Sequence, residues 1–213
     1  METPSSPRRT RETAPLGLIL VNVALLVAIV ATGVLLVSRT LAERRLSDAD
    51  LMSTKAASQE YARTGTTASE LRLASAYQLA GEYTAATREY QAVLSRDTNN
   101  TEAHYNLAVL DELTGNVTAA REEYRATLKI EPTHLLAAQR LAALLIGSGE
   151  WAEVERVIRP VLSTHGDLAD LHYMLGLSFE KRGQRAKAAA EYRTALKYVP
   201  QYDDARAGLA RMK

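Results

Sequence analysis

The chain has 213 residues carrying 26 basic and 25 acidic side chains, a balance that gives no reason to expect a nucleic-acid partner. Cysteine is absent, which excludes disulfides, thiolate metal sites, a cysteine nucleophile and the lipidated cysteine of an acylated anchor. Residues 1–66 hold 8 basic and 6 acidic side chains and residues 67–213 hold 18 and 19, so the longer part is near neutral and ill suited to a polyanion.

Residues 1–15 combine Pro4, Pro7 and Pro15 with Ser, Thr and Arg. They have too few apolar groups to bury and are expected to be a disordered basic tail. From Leu16 to Val37 the chain runs 22 residues without a charge, 15 of them Leu, Ile or Val. As a helix this run is about 33 Å long, enough for a hydrocarbon core of about 30 Å. It outweighs Asn22, Gly17, Gly33 and Thr32, and is too long for the apolar core of a cleaved leader. A transmembrane helix is therefore expected over 16–38. Arg8, Arg9 and Arg11 before it nearly balance Arg39, Arg44, Arg45 and Lys55 after it, so positive charge leaves the orientation open. A short tail lacking a structural signal favours a cytoplasmic N-terminus with the remainder outside the cytoplasm. Residues 39–66 read as a helical stalk ending at Thr64-Gly65-Thr66-Thr67.

Beyond residue 66, Gly81, Gly115, Gly149 and Gly183 recur every 34 residues, the period of a helical-hairpin array. The units are 67–100, 101–134, 135–168 and 169–202, with a half-unit over 203–213 expected to cap the stack. Leu73, Leu107, Leu141 and Leu175 occupy one position, followed by Ala74, Ala108, Ala142 and Gly176, small residues that let a second helix come close. Each recurring glycine frees the chain to take positive φ as the first helix ends. Then Ala86, Ala120, Val154 and Ala188, Tyr90, Tyr124, Ile158 and Tyr192, and Leu94, Leu128, Leu162 and Leu196 stand four apart, on one face of the second helix. Pro132 and Pro200 stop that helix, whereas Pro160 falls inside one, where it is expected to free the Arg156 carbonyl and kink the last turn. Asp111 stands where Tyr77 and Phe179 place an aromatic ring; it reads either as a tuned acidic site or as a residue turned to solvent while Leu110 fills the core.

In these residues the chain resembles the tetratricopeptide repeat, over 67–202 without insertion or deletion. The resemblance implies an all-α fold, a right-handed superhelix of four helix-turn-helix repeats and a capping helix, whose concave groove is lined by the first helices. It places Leu71, Arg72, Ser75 and Gln78, then Glu102, Tyr105, Asn106 and Val109, then Gln139, Arg140 and Ala143, then Asp170, Tyr173, Met174, Ser178 and Lys181 along that groove. Aromatic and guanidinium groups make the best anchors, so the expected partner-binding set is Arg72, Tyr105, Asn106, Gln139, Arg140, Tyr173 and Met174. Chaperone-binding members grip a C-terminal carboxylate through Lys, Asn and Arg in three units. Here only Asn106 and Arg140 match, with Leu71, Ser75 and Leu136 elsewhere, which argues against a heat-shock-protein adaptor.

His104 and His172 share one repeat position and read as packed side chains; His134 and His165 complete the imidazoles. No zinc-protease, serine-hydrolase, phosphate-loop or dinucleotide pattern occurs, so the expectation is a non-enzyme with no metal, cofactor or small-molecule substrate. Unit two carries 3 basic and 6 acidic residues and unit four 6 and 3, a gradient that leaves self-association open. The sequence thus points to a membrane-anchored scaffold that binds protein partners or peptides and assists assembly or quality control of an envelope complex. It resembles bacterial inner-membrane proteins with an external repeat domain. A cytoplasm-facing import receptor is the alternative, and an unrecognised enzyme a lesser one.

Overall fold

The computed structural model describes residues 49–212. The tail, the apolar run of 16–38 and the first part of the linker lie outside the described residues, among which no helix is long and apolar enough to cross a membrane. The chain divides into a unit of 1–51, of which 49–51 are described and helical, and a unit of 52–213 that contains the array.

Helix α1 runs over 49–64. Four hairpins follow: α2 (Thr67–Leu79) with α3 (Tyr83–Arg96), α4 (Thr101–Leu113) with α5 (Val117–Ile130), α6 (Leu135–Ser148) with α7 (Trp151–Thr164), and α8 (Ala169–Lys181) with α9 (Arg185–Tyr198). Helix α10 (Asp203–Arg211) closes the stack in the place expected for the cap. Each second helix packs on its own first helix and on the next one, and neighbouring first helices also touch, giving two layers. The described residues form an all-helical stack of four helix-turn-helix repeats with a capping helix, as expected, and contain no strand.

Local chemistry sets these boundaries. Thr66 Oγ1 accepts from the Ser69 N–H at 3.2 Å and Asn100 Oδ1 from the Ala103 N–H at 3.0 Å, satisfying donors that a helix start leaves free. At the other end Gly115 takes φ +84°, and the Asn116 N–H reaches back to the Asp111 carbonyl at 2.7 Å, the six-residue closure that needs a left-handed residue at its corner. Gly81, Gly149 and Gly183 turn in the same way, so the period of 34 is a period of turn geometry as well as of burial.

The repeated apolar positions form the core. Tyr90, Tyr124, Ile158 and Tyr192 are fully buried in their second helices, against Ala74, Ala108, Ala142 and Gly176 of the first helices. Leu110 is buried and Asp111 is half-exposed, its carboxylate 3.5 Å from Asn116 Nδ2; burial raises the Asp111 pKa and that amide opposes the shift. Asp111 thus lies in the last turn of α4, partly exposed, while Leu110 fills the core. Helix α7 is continuous through Pro160, although the proline removes the donor to the Arg156 carbonyl. Within the array unit, α1 lies against α2: Glu60 pairs with Arg72, and Ser53, Ala56 and Ala57 line a cleft with Ser75, Ala76 and Leu79. Residues 53–60 thus contact the first repeat through these side chains.

Candidate functional site

The first helices carry polar side chains on the face left uncovered by the second layer, and their spacing produces two similar constellations. In the second unit, Tyr105 of α4 lies half-buried with its ring 6.1 Å from Tyr124 and 4.9 Å from His134. The Tyr124 hydroxyl donates to Glu112 at 2.8 Å, and Arg140 of α6 donates to the same carboxylate at 3.3 Å. Burial raises the Tyr124 pKa strongly, and the bond to Glu112 adds to the shift, so this phenol stays a donor. In the fourth unit, Tyr173 of α8 lies 6.0 Å from Tyr192 and 5.1 Å from Tyr202. Tyr192 donates to Glu180 at 2.5 Å, and Arg211 of α10 forks onto both Glu180 oxygens at 2.7 and 3.0 Å. Arg211 holds the Glu180 carboxyl below the usual carboxylate range.

Residues 105, 112, 124 and 134 thus have counterparts at 173, 180, 192 and 202, each 68 residues on. A period of two units is laid over the period of one. Unit one has a weaker form, with Tyr90 donating to Gln78 at 3.2 Å and lying 3.1 Å from Ser75 Oγ. Unit three lacks it: Ile146 and Ile158 replace both partners of the pair. The exchange is physically coherent, because a buried phenol without an acceptor is costly whereas two isoleucines need none.

The expected binding residues fall unequally on this frame. Arg140 reaches Glu112 directly, Tyr105 stands beside Tyr124, which donates to Glu112, and Tyr173 stands likewise beside Tyr192 and Glu180. Asn106, Gln139 and Met174 are half-buried neighbours on α4, α6 and α8. Arg72 belongs to the separate cleft with Glu60, which has a volume of about 310 Å³ and also includes Glu102. Two expected groove positions are not surface at all: Leu71 is buried in the core, and Ser178 is fully buried, its hydroxyl donating to the Trp151 carbonyl at 2.6 Å. The helix is rotated so that these side chains point between layers.

Glu112, Glu180, His134, Tyr202 and Arg211 were outside the expected set. The first two were legible, since a polar residue stands twelve before tyrosine at 78/90, 112/124 and 180/192. Arg211 was not, because it comes from the half-unit, at a position that the repeat does not predict. Each groove arginine is held by one glutamate, at Arg72–Glu60, Arg140–Glu112 and Arg211–Glu180. Glu102, Asp170 and Asp204 make no ion pair among the described residues, and Asp170 instead interacts with the Tyr202 hydroxyl. The uncovered face is therefore aromatic, with these three carboxylates outnumbering the one unpaired cation of the expected groove positions, Lys181 near Glu180. No group of His, Asp or Glu among the described residues has the arrangement of a metal site. His104 and His172 are clasped inside the array, with Nδ1 at 2.6 and 2.7 Å from Glu123 and Glu191.

Comparison with known proteins accords with this geometry. Residues 71–134 and 169–202 match family models described as tetratricopeptide repeat. A search of curated proteins gives no match. Among solved structures, YrrB, "a TPR protein with an unusual peptide-binding site", superposes with a TM-score of 0.66 at 12% identity, covering 75% of this chain and 82% of that one. A MamA protein gives a TM-score of 0.62 at 21% identity, covering 68% and 80%. A tetratricopeptide repeat protein of Parabacteroides merdae gives 0.61 at 19% identity, covering 81% and 67%. At such identities the likeness concerns the fold. The likeness to tetratricopeptide repeats in sequence is thus shown for residues 71–134 and 169–202.

Proposed function

We propose that this array of tetratricopeptide repeats is a protein-interaction scaffold that receives a basic peptide segment along its first helices. The observation that carries the reading is the duplicated constellation of Tyr105, Tyr124, Glu112 and Arg140 with Tyr173, Tyr192, Glu180 and Arg211. Half-exposed tyrosine faces beside carboxylates attract a cationic side chain through the ring quadrupole and the net charge together. The glutamates already neutralise the three arginines, so Glu102, Asp170 and Asp204 set the sign of the field. Sites two units apart are about 20 Å apart at about 10 Å per packed helix. An extended segment with two Lys or Arg about six residues apart spans that distance. YrrB, whose structure carries a peptide-binding site, supports peptide occupancy by likeness of fold alone.

The apolar run of 16–38 supports a membrane anchor, with the basic tail in the cytoplasm and the array outside it, on a bacterial inner membrane. In that setting the scaffold assists assembly or quality control of a membrane complex. Protease treatment of spheroplasts tests the topology: digestion of the array is expected, and its protection would instead place the repeats on the cytoplasmic side.

The groove is tested with a fluorescein-labelled peptide carrying two arginines six residues apart, measured against the full chain in detergent. Tyr105→Ala and Tyr173→Ala are each expected to weaken binding about ten-fold, to the affinity of a single-arginine peptide, with the double variant weaker still. Equal binding by the double variant, or equal binding of an acidic peptide, would remove the groove reading.

A further inference from the structure

Position 104 of unit two and position 172 of unit four are histidines, and each fills the junction between its hairpin and the preceding turn. His104 lies 2.6 Å from Glu123 and, through Nε2, 3.1 Å from the Thr98 carbonyl; His172 lies 2.7 Å from Glu191 and 3.1 Å from the Gly166 carbonyl. In unit three the three corresponding positions are Ala138, Val157 and Pro132, so the imidazole and its carboxylate partner are both absent and only the backbone carbonyl at Pro132 remains. Between α5 and α7 the structure has a cleft of about 490 Å³, on the layer of second helices and away from the tyrosine constellations; a cleft of about 550 Å³ that includes Thr98 and His104 borders the clasp of unit two, so the clasp by itself does not close this junction. Two of the clasp positions, Val157 and Pro132, are among the lining residues of the cleft between α5 and α7. Leu141 forms a fully buried floor, with Leu128 and Pro160 as walls.

The rim is charged with one sign in excess. Arg125, Lys129 and Arg156 surround the opening, opposed by Glu153 alone. That carboxylate is already engaged, accepting from Arg125 Nε and Nη2 at 2.9 and 3.1 Å with Arg156 Nη2 at 3.6 Å, and Arg125 holds its pKa below the usual range. Lys129 makes no ion pair among the described residues. An apolar well with a cationic rim is complementary to an apolar side chain whose chain neighbours are acidic. We infer that this cleft is a second docking site, on the face opposite the groove, for a leucine or phenylalanine side chain presented by an acidic segment of a protein partner. Its openness to solvent suits a side chain delivered from outside. A basic segment in the groove and an acidic one on the back let the array hold two different partners at once.

The test uses the full chain in detergent and fluorescence anisotropy with a labelled acidic heptapeptide carrying a central Phe between Asp and Glu residues. Its counterparts have Ala at the centre or Lys as flanks. Binding of the acidic Phe peptide is expected, at least ten-fold weaker with either counterpart and weaker again as salt rises. The paired substitution Ala138→His with Val157→Glu introduces the clasp residues of units two and four, places a carboxylate on the wall of the cleft, and is expected to abolish binding of the acidic peptide. Lys129→Glu with Arg156→Glu changes only exposed side chains, so it reports on the rim even where the clasp variant fails to fold. Circular dichroism accompanies each variant, and the basic groove peptide serves as an independent readout that these variants leave unchanged. Absence of binding by the acidic Phe peptide, equal binding by the Lys-flanked peptide, or indifference to both variant pairs would overturn the proposal. Binding of dodecanoate without any binding of the acidic peptide would overturn it in favour of an acyl ligand.

Discussion

Gly176→Ala separates the consensus of the repeat from the structure, because the two predict opposite signs. The other three units have Ala74, Ala108 and Ala142 at this position, and an alanine in the interior of α8 gains about 1 kcal/mol of helix propensity over glycine. A β-carbon built at Gly176, however, lies 2.6 Å from two carbons of the Tyr192 ring. The ring has nowhere to retreat. On its other side a β-carbon at Gly208 would come within 2.5 Å, and its hydroxyl is tied to Glu180 at 2.5 Å. Overpacking of this kind costs about 1–3 kcal/mol. The net expectation is a loss of about 1 kcal/mol, or a fall of about 0.5 M in the urea midpoint for a slope of about 2 kcal/mol/M. Because a repeat stack responds locally, the faster amide exchange should be concentrated in α8, α9 and α10. A midpoint that rises, with exchange unchanged in α9, would show that Tyr192 repacks freely and that the wedge between two glycines is no constraint.

Two other substitutions to alanine should part in sign. Gly147→Ala, exposed in α6 with no neighbour within 4 Å of the new carbon, is expected to raise stability by about 1 kcal/mol in urea unfolding. Gly115→Ala, at φ +84°, is expected to lower it by about 1–2 kcal/mol, because the new carbon meets its own backbone there. Acid should weaken the end of the array through Glu180. Its pKa is lowered by Arg211, so its stabilising contribution is complete above the unfolded value of about 4.3 and is lost as pH falls through the lower folded value. The urea midpoints of the wild type and Glu180→Gln should therefore differ at pH 6 and converge as pH falls below about 4. A constant gap over that range would assign the effect to packing alone.

Much of the fold was legible because it is local and repeated. The glycine spacing reports a left-handed turn that any L side chain strains, and the Leu, Ala and Tyr positions report burial on fixed helix faces. Both are properties of single hairpins, so 34-residue self-similarity carries them directly. Tyr105, Arg140 and Tyr173 could be placed on first helices for the same reason. Ser178 and Leu71 were misplaced because a family position gives the face of a helix to within one residue, and burial changes over that interval.

What the sequence by itself determined is the array: four hairpins and a cap, their boundaries, and an unusually apolar run near the start. Only the tertiary structure decided which side chains share a site. The Tyr192–Glu180–Arg211 cluster joins residues on α8, α9 and α10, and the cleft of unit three is bounded by α5, α6 and α7. Whether a missing histidine clasp leaves a cleft depends on how neighbouring helices close over Ala138 and Val157. That closure is set by side-chain volume and hydrogen-bond geometry summed across helices, which a one-dimensional period does not encode.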